Sequence, residues 1–310
     1  MRADLRHAEE ILRDRCGERV RTRFPLAPLT TLRVGGPAAL FLEPSSDQDL
    51  IAASEAVRET GVPVLVLGKG SNVLVSDEGF DGLVLRLGGG FRWAGRDGDR
   101  LSAGASMPLP ALAGVALSHA LSGIEWGVAI PASFGGAVRM NAGAHGGEIA
   151  DVVETIEVFD LLGEDARCLE AADARFVYRD SAIADGTVVT AATLRLRPAE
   201  PRTIRTRMDE VREWRRAHQP LAEPNCGSVF KNPPGDFAAR LIDEAGLKGR
   251  VVGGAAVSVK HANFIVTAPG ASAADVIELI RSVRETVEER SGVRLEPEVR
   301  LVGRHGRSAI

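Results

Sequence analysis

Between Gly123 and Gly147 the chain carries seven glycines in 25 residues, yet Ile130, Phe134, Val138 and Met140 keep the stretch too apolar for a flexible linker. Glycine without polarity is the composition of closely packed backbone, either inside a core or against a flat, bulky ligand. A second glycine-rich turn, Gly68-Lys-Gly-Ser-Asn72, follows the apolar run from Val62 to Leu67. Its spacing invites comparison with the dinucleotide fingerprint GxGxxG. Val73 stands at the third glycine position, however, and the residues after it are β-branched and strand-like, so the strand–turn–helix context is missing. The turn then joins two strands. It is either a plain hairpin turn or a phosphate cradle offering backbone N–H groups and a lysine. Two separated stretches of this kind, outside a Rossmann unit, point to a large nucleotide cofactor held by loops from both halves of a split domain.

The chain of 310 residues, 26% charged and 45% hydrophobic, is long enough for two or three domains. A net charge of -4 argues against a nucleic-acid surface. Cys16, Cys168 and Cys226 are widely spaced and odd in number, which predicts reduced thiols with neither a metal site nor a disulfide framework. The first residues, Met1-Arg-Ala-Asp-Leu-Arg-His, are charged where a signal peptide needs an apolar core, and no uncharged apolar run approaches the ~20 residues of a membrane span. The expectation is a cytoplasmic protein, monomeric, with no membrane or nucleic-acid partner.

Read in order, the chain opens with an amphipathic helix that puts Leu5, Ala8, Ile11 and Leu12 on one face. A Gly-Gly-Pro turn feeds a short strand, and Ser46 and Gly61 bracket a helix. Gly88 to Gly90 reads as a hinge between subdomains, Ser102 to Ser106 as a small-residue turn, and Pro108 to Ser122 as a helix. Strands are expected over 151–160 and 186–197. A charged helix follows Pro201, with Ile204, Met208, Val211 and Trp214 facing inward. Asp236 and Ser272 read as helix caps, residues 260–267 as a strand, and 293–302 as an alternating strand that Pro297 makes an edge. The boundaries drawn on this pattern are an N-terminal helix over 1–22, segments 23–90 and 91–199 that form the split domain, and a further domain over 200–303.

Three short stretches carry chemistry. Tyr178-Arg-Asp-Ser181 holds the one tyrosine of the chain; the pair Arg179–Asp180 is either a solvated surface pair or a guanidinium set to neutralise a carboxylate or enolate. Asn225-Cys-Gly-Ser-Val-Phe-Lys-Asn-Pro233 packs a thiol, a hydroxyl, an ammonium and two amides around a short apolar core. Glu296 and Glu298 lie on the polar face of the last strand, where a solvated face is the ordinary reading.

These stretches, with Ile130-Pro-Ala-Ser-Phe-Gly-Gly136, Met140-Asn-Ala-Gly143, Lys260-His-Ala-Asn-Phe264 and Leu295-Glu-Pro-Glu-Val299, stand in an order that resembles the UDP-N-acetylenolpyruvoylglucosamine reductase (MurB) family, from about Phe24 to Val302. The resemblance implies an α+β fold: a split FAD-binding domain of the vanillyl-alcohol-oxidase (PCMH) type plus a smaller α+β substrate-binding domain. It implies noncovalent FAD, NADPH as reductant and a UDP-sugar substrate whose enolpyruvyl group is reduced. By the same resemblance Arg179, Ser228 and Glu298 are catalytic, with Ser228 as proton donor to C2 and the other two polarising the enolpyruvyl group. Gly68, Lys69, Gly70, Ser71, Asn72, Gly104, Pro131, Ser133, Gly136, Asn141 and Gly143 would meet the cofactor. Tyr178, Lys231 and Asn232 would meet the substrate. Ala132, Arg139 and His145 depart from the family's usual glycine, aromatic and tyrosine. No tyrosine-bearing insertion follows Ser181, which matches the shorter subclass. Two rivals are an oxidase of the same fold and a non-catalytic nucleotide-sugar binder.

Overall fold

Helix boundaries follow the capping chemistry of the sequence wherever that chemistry is local. In the computed structural model, which describes residues 3–308, α1 (Ala3–Cys16) buries Leu5, Ala8 and Leu12. Met1 and Arg2, expected in the N-terminal segment, lie outside the described residues. Ser46 opens α2 (Asp47–Thr60) by accepting from the Asp49 N–H, and Gly61 ends it at φ +66°. The Asp49 carboxylate, buried, accepts two hydrogen bonds from Arg19 at 2.6 Å each and one from the Ser45 N–H at 2.8 Å.

Where the signal is not local, the expectations fail for identifiable reasons. Ser102 to Gly104 belong to a strand, Arg100–Gly104, and the helix after Pro108 is only α3 (Leu109–Ser118). Ala120 turns left-handed at φ +55°, and Leu121–Ser122 pairs antiparallel with Arg197–Pro198 instead of extending the helix. Gly88 to Gly90 do not form a hinge. The Gly88 N–H donates to Pro44 O at 2.7 Å, and a Cβ on Gly90 would overlap Ser45 O, so Gly88 and Gly90 let two chain segments cross in contact.

The chain forms two compact units. The first comprises the residues up to Thr22, Leu40–Lys69 and Gly82–Trp214. Its five-stranded antiparallel sheet runs in the order Asp165–Glu170, Val153–Asp160, Thr187–Arg195, Arg100–Gly104, Ala94–Asp97. α3 and α4 (Phe134–Arg139) supply Leu112 and Phe134 to a core shared with Leu101, Ile156 and Leu194 of the sheet. Ile204 and Met208 of α5 (Pro201–His218) join that core, whereas Trp214, expected inward, is 43% exposed. Val64–Val66 pairs in parallel with Leu83–Leu85 in the same unit, and Val66 is 36% exposed.

The second unit comprises Arg23–Ala39, Gly70–Asp81 and the residues from Arg215 on. Its four-stranded sheet runs Asn225–Ser228, Phe264–Thr267, Ala255–Val257, Val251–Val252. α6 (Ala238–Glu244) and α7 (Ala273–Ser291) pack their apolar faces into a core with Leu32, Leu74, Phe230 and Ile265. Ser272 and Asp275 form the expected capping box on α7, and the Asp77 carboxylate adds bonds from the Ala273 and Ala274 N–H groups. The strand at 260 starts only at Phe264, and α6 is capped by Phe237 rather than Asp236. Toward the C-terminus the alternation correctly buries Leu295, Val299 and Leu301, but only Arg300–Gly303 forms a strand. That strand is no edge: it lies between Val73–Val75 and Gly306–Ser308. Pro297 precedes it and bridges to Phe230.

Candidate active site

In the second unit a β-bulge presents Ser228. Asn225 pairs with Val266 and Ser228 with Phe264, so the Ser228 strand has one residue more than its partner. Gly227 absorbs the extra residue at φ +75°, in the left-handed region where a side chain is costly. The Asn225 side chain locks the bulge. Its Oδ1 accepts from the Gly227 N–H at 3.0 Å, and its Nδ2 donates to Pro220 O and Glu223 O. Ser228 is half-buried at the end of this strand, and Val229 and Phe230 anchor the next two positions in the core.

Glu298 is tied to the same segment, since its N–H donates to Val229 O at 2.7 Å. The Asn72 side chain donates to Glu298 O at 3.2 Å from the other side. The Lys231 N–H donates to Glu296 O, and the Lys231 ammonium sits 2.6 Å from the Glu296 carboxylate, so Lys231 pairs with Glu296 rather than with Glu298. Asn232 Oδ1 accepts from the Ala238 N–H at 3.1 Å, at the start of α6. Burial above all pushes the Cys226 thiol up to about 12, with a smaller push from Glu298; Cys226 stays protonated and chemically inert at neutral pH.

Arg179 belongs to the first unit, at the tip of a two-residue turn. Val177 and Asp180 exchange both backbone hydrogen bonds at 3.1 Å, leaving Tyr178 and Arg179 at the apex. Arg179 has φ +60°, a conformation that costs an L-residue roughly 1–2 kcal/mol and persists where surrounding contacts enforce it. Those contacts are specific. Arg179 Nη2 donates to Gly143 O at 2.8 Å, the guanidinium lies 4.7 Å from the Tyr178 ring centroid, and Ser181 Oγ donates to Arg139 O at 2.7 Å. Asn141, fully buried, donates to Val177 O and accepts from the Ala150 N–H, so its amide joins the Arg179 turn to the glycine-rich stretch.

The residues of the first unit fit a flavin nucleotide. Ser133 caps α4, and a Cβ on Gly68 would overlap its hydroxyl, so the 68 turn lays its backbone against the Ser133 side chain at the start of α4. A Cβ on Gly104 would overlap Phe91 O. Around these contacts Pro131 is exposed and Ile130, Ala132, Gly136 and Gly143 are half-buried, a surface poor in side chains against which a planar ring and a diphosphate can approach main-chain N–H groups. Two of the departures from the family pattern are accommodated locally. Arg139 pairs with Asp185 at 2.8 Å, and His145 packs edge-on against Trp214 with ring centroids 5.0 Å apart.

Two family models match the chain. The model for the C-terminal domain of UDP-N-acetylenolpyruvoylglucosamine reductase matches residues 219–302. A model for an FAD-binding domain matches residues 38–168. The UDP-N-acetylenolpyruvoylglucosamine reductase of Anaeromyxobacter dehalogenans is 47% identical, over 95% of this chain and 89% of its own length. The chain belongs to the UDP-N-acetylenolpyruvoylglucosamine reductase family. The family's second enzyme in Symbiobacterium thermophilum is 46% identical over 92% of both chains. The crystal structure of the family member from Thermus caldophilus superposes with a TM-score of 0.81 at 41% identity, covering 91% of this chain and 98% of that one. A Phl p 4 variant described as a glucose oxidase, 15% identical with a TM-score of 0.50 over 63% of this chain and 44% of its own, shares the fold alone. The fold is therefore α+β, with a split FAD-binding domain of the vanillyl-alcohol-oxidase type, and the cofactors are FAD and NADPH.

Sequence reading missed Asn263. It is 3% exposed and bonds both polar groups of the Phe230 backbone. Asn263 lies within the strand predicted over 260–267, and an asparagine inside a predicted strand carries no signal that its side chain, rather than its backbone, makes the pairing bonds.

Proposed function

We infer that this chain is an oxidoreductase that uses NADPH to reduce the enolpyruvyl group of UDP-N-acetyl-3-O-(1-carboxyvinyl)-glucosamine to UDP-N-acetylmuramate, a cytoplasmic step of peptidoglycan synthesis. One observation carries the reading: identity to a named reductase runs through 95% of the chain and so through both units. The protein works as a monomer. In support of a cytoplasmic setting, no helix among the described residues is long and apolar enough to cross a membrane.

FAD, when bound, supplies the two-electron relay between NADPH and the sugar. Residues 23–90 and 91–199 hold it, and 200–303 hold the sugar. Lys69 and the backbone of Gly68, Gly70, Ser71 and Asn72 take the diphosphate. Gly104, Pro131, Ser133, Gly136, Asn141 and Gly143 shape the wall along the ring system, the buried Asn141 from behind it through the bonds of its amide to Val177 O and the Ala150 N–H.

Hydride addition at C3 of the enol ether leaves negative charge shared between C2 and its carboxylate, and a proton must then reach C2. Arg179 stabilises that charge, which is greater in the transition state than in the ground state, as catalysis requires. The anchored guanidinium and the rigid turn mean that no reorganisation is needed at the moment of reaction. Ser228 gives its hydroxyl proton to C2. A serine is a weak acid, so transfer depends on the bulge that holds it in one place and on support of its conjugate base by Lys231 or the carboxylate network. Glu298 polarises the enolpyruvyl group from the neighbouring segment, whose backbone is hydrogen-bonded to Val229, the residue after Ser228. Tyr178 and Asn232 contact the sugar nucleotide.

Anaerobic addition of NADPH to the yellow protein should bleach the flavin absorbance, and the UDP-enolpyruvyl sugar should then restore it. Restoration by oxygen but not by the sugar would make the chain an oxidase of the same fold.

A further inference from the structure

We propose that Asn263 is the positioning residue that aims the Ser228 hydroxyl and fixes its spacing from Glu298, an inference that rests on Ser228 being the proton donor. The segment 228–231 is bound on one side by 296–298, through the Glu298 N–H to Val229 O and the Lys231 N–H to Glu296 O. Phe230, facing Pro297 between those two bonds, directs its own N–H and C=O the other way. On that side the ladder to Phe264–Thr267 has ended at the Ser228–Phe264 pair. Phe230 is 2% exposed, so its backbone groups have no access to bulk water.

The Asn263 side chain takes the place of the missing strand. Its Oδ1 accepts from the Phe230 N–H at 2.9 Å and its Nδ2 donates to Phe230 O at 2.8 Å, the double exchange a paired strand residue makes. Its own carbonyl accepts from the Val229 N–H at 2.9 Å. Asn263 thus holds the two residues after Ser228, and Glu298 is hung on the first of them. Removing the amide leaves a buried carbonyl and a buried N–H unpaired, and the segment must shift to recover partners. A shift of about 1 Å at a reacting group costs on the order of 100-fold in rate.

The test uses flavin-loaded variants below their melting temperatures, in anaerobic stopped flow. Asn263→Ala should be reduced by NADPH within roughly threefold of the parent rate, while discharge by the UDP-enolpyruvyl sugar slows by about 100-fold. Added to Ser228→Ala, it should slow discharge no more than about threefold further, because a misaimed group that is already absent has nothing left to lose. Asn263→Asp serves where the alanine protein does not fold. Its carboxyl imitates both bonds only when protonated, so its discharge rate should rise as pH falls, a profile the parent lacks. Discharge at the parent rate in a folded Asn263 variant, equal slowing of both steps, or a full further 100-fold loss in the double variant would each overturn the proposal. If Ser228→Ala by itself discharges normally, the donor assignment fails first and takes the Asn263 role with it.

Discussion

Arg179→Lys separates charge from geometry at the candidate site. The substitution keeps a cation and, since both residues are L-amino acids, keeps the strain of φ +60°, so the melting temperature should hardly move. The fork is what it removes. Arg179 anchors to Gly143 O through one terminal nitrogen at 2.8 Å, and the rigid plane of the guanidinium thereby fixes the direction of its other nitrogens. Lysine has one nitrogen, which either bonds Gly143 O or reaches the substrate. Losing one preorganised donor to a developing anion costs about 10²–10³ in rate, or roughly 2.7–4 kcal/mol. We expect that loss in the step that discharges the flavin to the UDP-sugar. Reduction by NADPH, in which no charge builds on the enolpyruvyl carboxylate, should stay within about threefold of normal. Single-turnover stopped flow at the flavin absorbance resolves the two steps. An Arg179→Lys protein that keeps most of its sugar-dependent rate would mean that Arg179 is a surface residue, and the reasoning from its anchored turn would be wrong.

Asp49 predicts an acid-sensitive contribution to stability. Hydrogen bonds from Arg19, then from the Ser45 backbone, hold its carboxyl below the usual carboxylate range despite burial. A depressed folded value gives stability that is complete above the unfolded value near 3.9 and is lost as pH falls through the folded one. The melting-temperature gap between the parent and Asp49→Asn should therefore be flat from about pH 8 to 5 and shrink below about pH 4; a constant gap throughout would contradict the ion pair's role. Iodoacetamide at pH 8 should label the exposed Cys168 and spare Cys226, whose thiol sits near 12, so mass spectrometry finding equal labelling would refute its burial. Gly68→Ala drives a methyl into the Ser133 cap and should raise the FAD dissociation constant at least tenfold by equilibrium dialysis; unchanged affinity would remove the 68 turn from the cofactor site.

The parts of the fold legible in the sequence were those encoded within a few residues. Ser46 with Gly61, and Ser272 with Asp275, announce their helices because caps are local hydrogen bonds. Ala120 ends α3 in a left-handed turn with no glycine to announce it, and the strand that replaces the helix's last turn depends on Arg197 and Pro198 far along the chain. Gly88 to Gly90 look like a hinge because composition cannot tell a free glycine from one pressed against Ser45. The alternation after Val293 reveals the buried face but not that Arg300–Gly303 would find Val73–Val75 as a parallel neighbour. Of the candidate site, the chemical groups were legible by motif. The devices that hold them were mostly not: the register of the bulge against Phe264, the Gly143 anchor of Arg179, and the bonds of Asn141 and Asn263 are long-range contacts with no periodic signature.

Ser228 bears the central chemical claim, and Ser228→Ala tests it most directly. No proton reaches a carbon of the sugar during reduction by NADPH, so that half-reaction should run at close to the parent rate. Discharge to the UDP-enolpyruvyl sugar should fall by about two to four orders of magnitude, the usual cost of a lost general acid, and Ser228→Cys should recover part of it. Equal slowing of both halves would make Ser228 a shaper of the pocket. Normal discharge in Ser228→Ala would contradict the account outright.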